Sequence, residues 1–436
     1  MLFSDELLKI SIIFLKKTVN AMRLLKSNNA LIIPMLILGV LYFVIGFGVG
    51  ISGFLTPFLK DALHLTVTQS YLIPVAVFSA FIIFGAPAGW VVKKVGYKKS
   101  IVFALLIMSI GMLLFIPSAN TKSLIIFLLA LYIIGIGKTL LQTAVNPYVT
   151  IVGPQESAAS RMCLMGILNK LAWWLSPIFL GIFLNLNHVQ LSQISIPFYI
   201  VTFILMALAV FMYFAPLPEV KAVGESESDL NEKNNASQKK PSILQYPHLL
   251  LGVFALFFYI GVEVLPMVSI IGFAKTIYGQ TAINLESFSK YVPIGMFVGY
   301  IFGLLMIPKK ISQTNALTLF SFIGIIAALC VILLPGKIAI YSLAAIGFAN
   351  SIMWGAIWPL AIADLGNFTK TGSSYMVMSL VGAAIIPFVF GYLIDAFKTT
   401  EFATTSNYQN AYWIFIPAYF FILFFGMIGY KIRKNK

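Results

Sequence analysis

Long runs of apolar residues, separated by short polar stretches, follow one another along almost the whole chain. About 20 apolar residues are needed for a helix to cross a bilayer. Twelve such runs can be distinguished, with centres near residues 45, 80, 109, 136, 173, 206, 260, 298, 325, 352, 385 and 420. Because backbone polar groups in lipid must be satisfied within the segment itself, each run is predicted to be an α-helix. The pattern therefore predicts an all-α membrane protein with twelve transmembrane helices.

The composition excludes several classes of protein. Hydrophobic residues make up 60% of the chain and charged residues 10%, with a mean hydropathy of +0.96, whereas a soluble domain has about 45–50% and about 25%. Both cysteines, Cys163 and Cys330, lie in predicted spans, so no disulfide framework is expected. Since no spaced set of His, Cys, Asp and Glu residues indicates a catalytic or metal site, we expect no enzyme activity, no metal, and no cofactor beyond a coupling H⁺ or Na⁺.

One polar segment divides the chain into two parts. Residues 217–247 are charged and almost free of large apolar residues, as a flexible cytoplasmic linker would be. Six predicted helices lie within 31–216 and six within 248–430. Residues 1–30 have apolar positions at roughly helical spacing, which predicts an amphipathic helix on the cytoplasmic surface, with an unstructured tail as the alternative. Residues 431–436 form a short basic tail.

Basic residues are divided unequally between the two sides of the membrane. With the N-terminus inside, 21 of the 29 lysine and arginine residues fall on that side. Cytoplasmic loops carry an excess of these residues, so both termini are predicted to be cytoplasmic and the protein to lie in the plasma membrane. The net charge of +15 follows from this asymmetry. Because the charges are not gathered on one soluble face, the expected partner is the lipid bilayer and not a nucleic acid.

Short loops in the two parts of the chain are similar to each other. The stretch "GWVVKKVGYKKS" at 89–100 joins predicted helices two and three, and "GLLMIPKKISQTN" at 303–315 joins helices eight and nine. Transporters built from two six-helix halves, related by an axis along the membrane normal, bind their substrate near the midplane between the halves. The sequence therefore predicts two pseudo-symmetric six-helix bundles with a central site.

A polar stripe interrupts helix four in the stretch "GKTLLQTAVNPY". Four residues turn a helix by about 400°, so Lys138, Gln142 and Asn146 lie on one face. A lysine near the centre of a membrane helix costs about 2.5–3.5 kcal/mol on insertion scales. The stripe is therefore predicted to face a water-filled cavity or a buried partner.

Other predicted spans carry polar and aromatic residues that suit the binding of a sugar. The candidates are Ser52 in helix one, Asn169 in helix five, Tyr259 in helix seven, and Asn350, Trp354 and Trp358 in helix ten. Amides and hydroxyls exchange hydrogen bonds with sugar hydroxyls, and an indole packs against the apolar face of a sugar ring. Together with the stripe, these residues predict a site for a neutral polyol. The alternative is that the amides only join helices to one another.

Glu263 is the only acidic residue predicted to lie deep in a span. A carboxylate at that depth requires a cation, a proton or a basic partner. Glu263 is therefore predicted either to couple an ion to transport or to pair with Lys138. Lys170 is expected near the wall of the cavity or in a structural pair.

Several stretches resemble the fucose/glucose/galactose branch of the major facilitator superfamily. They are "LLQTAVNPYVTIVGPQESAASR" in helix four, "GVEV" in helix seven and "SIMWGAIWPLAIADLGNFTKTGSS" in helix ten. The stretch "PAGWVVKKVGYKKS" resembles the superfamily's signature loop. The resemblance implies a cytoplasmic gate at Gly89, Lys93, Lys94 and Gly96 of this loop and at Arg161, the last residue of the helix-four stretch. The resemblance implies a transporter of the bacterial inner membrane that imports a hexose or related monosaccharide with H⁺ or Na⁺, by alternating access of its two halves.

Some positions differ from the fucose-type members of that branch. Those members have buried acids in helices four and one, where this chain has Gln142 and, approximately, Gly53. Gln142 resembles the glucose/galactose subgroup and leaves Glu263 as the ionisable residue. Two further hypotheses stay open, a facilitator in which Lys138 replaces the mobile cation and a transporter of an acidic sugar that binds Lys138. A membrane sensor is a remote alternative, because the linker and tails are too short for an output domain, and the chain is expected to act as a monomer.

Overall fold

The computed structural model describes residues 29–63, 72–183, 191–218, 220, 243–279, 285–399 and 403–433. The predicted amphipathic segment, apart from its last two residues, and most of the predicted linker lie outside the described residues. The side chain of Ser52 also lies outside them, so the structure places only its backbone, in the first helix.

Every regular element in the described part of the chain is helical. The helices are α1 Asn29–Ala62, α2 72–95, α3 97–121, α4 Leu124–Ile151, α5 Ala158–Phe183, α6 Ser195–Phe214, α7 Pro247–Tyr278, α8 Tyr291–Met306, α9 Gln313–Leu333, α10 Gly336–Ile362, α11 Gly366–Phe397 and α12 Thr405–Lys431. Among the described residues, eleven apolar helical runs are long enough to cross a membrane, and one of them, interrupted at Gly96, holds two helices. The twelve predicted helices are thus confirmed.

Gly96 makes the turn between α2 and α3. The run Leu72–Thr121 is helical on both sides of this residue, whose φ of 85° and ψ of 173° are not helical. A glycine adopts positive φ without the steric cost that a Cβ would bring. The turn is therefore a single residue, and it reverses the chain between two long apolar helices.

Both ends of the described chain lie on one face of the molecule, which we call the terminal side. The Ile432 carbonyl accepts a hydrogen bond from the backbone N–H of His248 at the start of α7 (3.1 Å). On the same face, the Lys370 ammonium near the start of α11 lies 5.3 Å from the ring centre of Tyr97, beside the α2–α3 turn. The first turns of α1 line a surface groove of about 440 Å³ together with residues 215–218 that follow α6.

The two six-helix halves meet through α5 against α8 and α10, and through α2 against α11. The Ser160 hydroxyl donates a hydrogen bond to the Leu304 carbonyl (3.2 Å). A Cβ added to Gly303 would lie 2.7 Å from the Cys163 sulfur. These close contacts hold α5 and α8 together on the terminal side.

The same face of α5 shows where the halves separate. Cys163, Gly166 and Lys170 follow one another at steps of three and four residues, and this face continues through Trp174 and Ile178. The first three positions contact the second half, whereas Trp174 and Ile178 are 62% and 51% exposed. The two halves are therefore in contact on the terminal side, whereas this face of α5 is exposed on the opposite side.

Replacement of Gly46 by alanine is expected to lower the melting temperature of the purified protein. A methyl group there would overlap the carbonyl oxygen of Asn169, a backbone atom of α5 that moves only if the helix moves. Overpacking of this kind costs about 1–3 kcal/mol. The matched control Gly48→Ala, on the same helix, places its methyl where no described atom outside the neighbouring turns of α1 lies within 4 Å, so it should not lower the melting temperature. Equal melting temperatures would contradict the close contact of α1 with α5.

Candidate substrate site between the two halves

The polar stripe of α4 is buried, as expected of residues that avoid lipid. Lys138, Gln142 and Asn146 are 3%, 8% and 0% exposed. The Asn146 side-chain oxygen accepts a hydrogen bond from the Tyr42 hydroxyl (2.6 Å), whereas its amide nitrogen has no hydrogen-bond partner among the described residues. Helix α4 therefore presents one half-satisfied amide to the centre of the molecule.

Tyr42 joins three helices at this level, although the sequence analysis did not select it. Besides Asn146, its hydroxyl lies 3.4 Å from the Met162 sulfur in α5. Its carbonyl accepts a hydrogen bond from the Asn169 amide (3.1 Å), so Asn169 connects α5 to α1. A tyrosine inside an apolar span is itself a signal, because its hydroxyl must find a partner when buried.

Glu263 forms an ion pair with Lys170. The Lys170 ammonium lies 3.0 Å from a carboxylate oxygen of Glu263, and the side chains are 18% and 7% exposed. The predicted alternative, a pair with Lys138, is wrong, because Lys138 takes part in no ion pair in the described part of the chain. Since α5 belongs to the first half and α7 to the second, the ion pair joins the two halves.

Three aromatic rings form a continuous surface beside this ion pair. The ring centres of Tyr259 and Trp354 are 6.2 Å apart, and those of Trp354 and Trp358 are 5.3 Å apart. The Trp358 ring nitrogen and, by hydrogen-bond geometry, the Tyr259 hydroxyl are buried without a partner among the described residues, although this hydroxyl lies near the Glu263 carboxylate and Tyr300. An unsatisfied buried group of this kind costs about 1–3 kcal/mol, so a ligand hydroxyl that reached these atoms would be stabilised.

Asn350 has a different environment from the other predicted binding residues. Its side chain is fully buried, its nitrogen donates to the Val262 carbonyl (3.0 Å), and its oxygen accepts from the Tyr419 hydroxyl (2.9 Å). The amide therefore holds α10 to α7 and α12, which is the packing alternative considered for the amides of the spans.

Tyr300 of α8 is a second residue that sequence reasoning missed. A Cβ added to Gly166 of α5 would lie 2.5 Å from its ring. Tyr300 also interacts electrostatically with Glu263 and Tyr259. It therefore closes the cluster on the side of α8.

The predicted gate residues lie on the terminal side. Gly89 of α2 faces α11, where a Cβ would lie 2.5 Å from the Ser374 hydroxyl oxygen. Lys93 and Lys94 are exposed, and the Lys94 ammonium lies 4.9 Å from the ring centre of Trp90. Gly96 makes the α2–α3 turn described above.

Arg161, the remaining predicted gate residue, is buried at the start of α5. Its guanidinium donates hydrogen bonds to the carbonyls of Val149, Thr150 and Pro154 and to the Ser157 hydroxyl, at 2.6–3.0 Å. These carbonyls belong to the end of α4 and the loop that follows. Arg161 therefore fixes the α4–α5 connection on the closed side.

The arrangement matches a known family. The sequence model described as Major Facilitator Superfamily matches residues 38–371. The chain belongs to the Major Facilitator Superfamily. It is 34% identical over 403 residues to a glucose/galactose transporter of Brucella abortus, with 90% of this chain and 93% of the relative covered.

Other superfamily relatives agree with this placement. The chain is 32% identical over 428 residues to a putative glucose/galactose transporter of Helicobacter pylori, with 94% and 99% covered. The crystal structure of FucP, a superfamily transporter in the outward conformation, matches with a TM-score of 0.77 and 24% identity, covering 91% of this chain and 98% of FucP. The family match and the FucP structure confirm the predicted fold. The apolar helices and the family also confirm a multi-pass membrane protein. The relatives are named as transporters, which agrees with the expectation that the chain is not an enzyme.

Replacement of Asn350 by alanine is expected to destabilise the protein, because it leaves the Val262 carbonyl and the Tyr419 hydroxyl without partners. Each buried unsatisfied group costs about 1–3 kcal/mol. The melting temperature should fall by several degrees, and Tyr419→Phe should lower it less. In the double variant the two losses should not add, because they share one hydrogen bond. Additive losses would contradict the Asn350–Tyr419 contact.

Proposed function

We propose that this protein is a secondary transporter that imports a hexose or a related monosaccharide together with H⁺ or Na⁺. The observation that carries the proposal is the cluster at the junction of the halves, in which unsatisfied amide, phenol and indole groups of α4, α7 and α10 lie beside an ionisable pair. The names of the relatives support a monosaccharide as the substrate class.

The chemistry of the cluster suits a sugar. The free Asn146 nitrogen and the Trp358 ring nitrogen can each donate a hydrogen bond, and the Tyr259 hydroxyl can donate or accept. Trp354 is only partly buried and offers a ring face to the apolar side of a pyranose. The cluster therefore offers partners for both the hydroxyls and the ring carbons of the sugar.

The excess of basic residues on the terminal side supports a cytoplasmic location for that side. The halves are then in contact on the cytoplasmic side, and the exposed face of α5 lies toward the outside. We further propose that the protein acts as a monomer in the bacterial inner membrane.

The proposal is tested with purified protein in liposomes that carry a proton or sodium gradient. Glu263→Gln keeps the shape of the side chain and removes its charge, so it should abolish accumulation of labelled glucose or galactose against a gradient. Counterflow, which needs only exchange of sugar, should remain. The control Asp395→Asn changes an exposed acid near the end of α11 and should accumulate sugar as the parent does.

Accumulation by Glu263→Gln would refute the coupling role of this carboxylate. Uptake by the parent protein that is indifferent to uncouplers and to sodium would instead identify a facilitator. Failure of the parent to exchange any hexose would refute the proposed function as a whole.

The second candidate is a transporter of an acidic sugar, and Lys138 is the observation that favours it. Its side chain is 3% exposed and forms no ion pair in the described ranges. A buried ammonium is stabilised by an anion, and the carboxylate of a uronate would supply one. Glu263 does not, because it already pairs with Lys170.

Competition experiments on labelled uptake distinguish the two substrate classes. If the substrate is acidic, glucuronate should compete at least about tenfold better than glucose, and Lys138→Gln should abolish that preference, a difference of about 1.4 kcal/mol. The control Lys337→Gln alters an exposed lysine at the start of α10 and should preserve the preference. Equal competition by both sugars in the parent would contradict the acidic substrate.

A further inference from the structure

One ion pair crosses between the halves of the described molecule. Lys170 lies in α5 and Glu263 in α7, whereas the other ion pair, Arg433 with Asp364, lies within the second half. The pair lies at the boundary on α5 between the positions that contact the second half and the exposed positions Trp174 and Ile178. It is therefore placed where the halves must separate if the terminal side is to open.

We propose that the Lys170–Glu263 ion pair is a latch that keeps the terminal side closed, and that the transported cation opens it by replacing the Lys170 ammonium at Glu263. The role of the cation rests on the proposed symport, whereas the latch itself does not.

The energetic argument is that neither charge can be left alone at this depth. The two groups are 3.0 Å apart and largely removed from solvent, so their attraction is weakly screened. Separation of the halves would leave two unpaired buried charges, which is strongly unfavourable. A proton on Glu263, or a sodium ion beside it, neutralises the carboxylate and removes this penalty from the second half.

Lys170 has a second partner within its own half. Its ammonium lies 5.9 Å from the ring centre of Trp173, within the range of a cation–π interaction. The adjacent Asn169 is hydrogen bonded to the Tyr42 carbonyl of α1. When the pair breaks, Lys170 remains part of the first half, and its ammonium can still interact with the ring of Trp173.

The other titratable groups near Glu263 carry no charge at neutral pH. Tyr259 lies one turn earlier on α7, and Tyr300 projects from α8. Helix α12 contributes Tyr419, which is hydrogen bonded to Asn350 of α10, and α11 contributes the apolar Ile386 against Gly261. These groups are phenols, amides and alkyl chains. The charges buried in the described spans near the junction are therefore Lys170 and Glu263, which pair with each other, and Lys138 of α4, which forms no ion pair there.

Cys163 provides a measure of opening that does not depend on transport. Its side chain is fully buried against Gly303 of α8 on the terminal side. The chain has two cysteines, so Cys330→Ser leaves Cys163 as the only thiol. In lipid nanodiscs, the rate at which a maleimide labels Cys163 then reports how often α5 and α8 separate.

In this background, Lys170→Gln and Glu263→Gln should each raise the labelling rate at least about fivefold, a shift typical of coupled two-state proteins. The control Lys337→Gln should label as the parent does. The double variant should label no faster than the single variants, because one interaction has been removed in all three. Labelling of both single variants at the parent rate would overturn the latch.

A charge exchange covers the case in which a single variant fails to fold. Lys170→Glu combined with Glu263→Lys restores opposite charges across the halves and should return labelling to near the parent rate. Rapid labelling of a correctly folded exchanged protein would overturn the latch. Labelling needs no sugar, so failure of the latch can be distinguished from failure of the proposed function. If the variants label fivefold faster but the parent exchanges no sugar, the transport proposal alone is refuted.

The role of the cation is tested by titrating Na⁺ and, separately, acid into the parent. Acid slows the maleimide reaction itself, so each rate is divided by that of Glu263→Gln under the same conditions. The ratio should rise toward one with the cation that opens the latch. A ratio unchanged by both cations would overturn displacement of Lys170 and leave the latch without a cation trigger.

Discussion

Two opposite charges near the centre of the membrane determine how the halves of this protein meet. A single lysine or glutamate at that depth is costly in lipid, and Lys170 and Glu263 reduce this cost by lying 3.0 Å apart. Because they belong to α5 and α7, their pairing fixes the distance between the two halves at this level. The closed contacts of α5 with α8 lie on the terminal side of the pair, and beyond it the same face of α5 is exposed.

The polar groups of the spans divide into those that hold the framework and those that remain available to a ligand. Asn350 uses both ends of its amide on protein partners, and Asn169 donates to a backbone carbonyl of α1. Asn146, Tyr259 and Trp358 each keep a buried polar atom without a partner among the described residues. Nearly all buried polar groups in proteins are satisfied, so these three atoms on α4, α7 and α10 support the proposed binding surface, although they are not unique, since His248 at the start of α7 also keeps a buried ring nitrogen without a partner among the described residues.

The fold could be predicted from the sequence because each helix must satisfy its own backbone in lipid. Twelve apolar runs therefore predicted twelve helices. The connection between α2 and α3 was predicted over 89–100, whereas it is the single residue Gly96, because both helices continue through the lysine-containing stretch. Helix formation in lipid is local, and the apolar pattern alone specifies it. The predicted face of Lys138, Gln142 and Asn146 is buried, but so is every residue of α4 from Gly137 to Thr150, so burial does not distinguish the stripe from its neighbours.

Partners between helices were not predictable in the same way. Glu263 required a counter-charge, but the choice between Lys138 and Lys170 depends on how α4, α5 and α7 are rotated against one another. Likewise, the sequence shows that Asn350 places an amide within a span, but it does not show whether a protein group or a ligand forms its hydrogen bonds. Tyr42 was missed because its hydroxyl matters only through its contact with Asn146, more than a hundred residues away.

Lys138 and Lys170 show what this difference means for function. Both are lysines within membrane helices, but Lys170 faces an acid across the junction, whereas Lys138 forms no ion pair in the part of the chain described. The Glu263 carboxylate cannot pair with both lysines. An ammonium buried beside Gln142 is therefore stabilised either by water that reaches it or by negative charge from the solute itself. Lys138 is thus the position at which a charge on the substrate would change the binding free energy most.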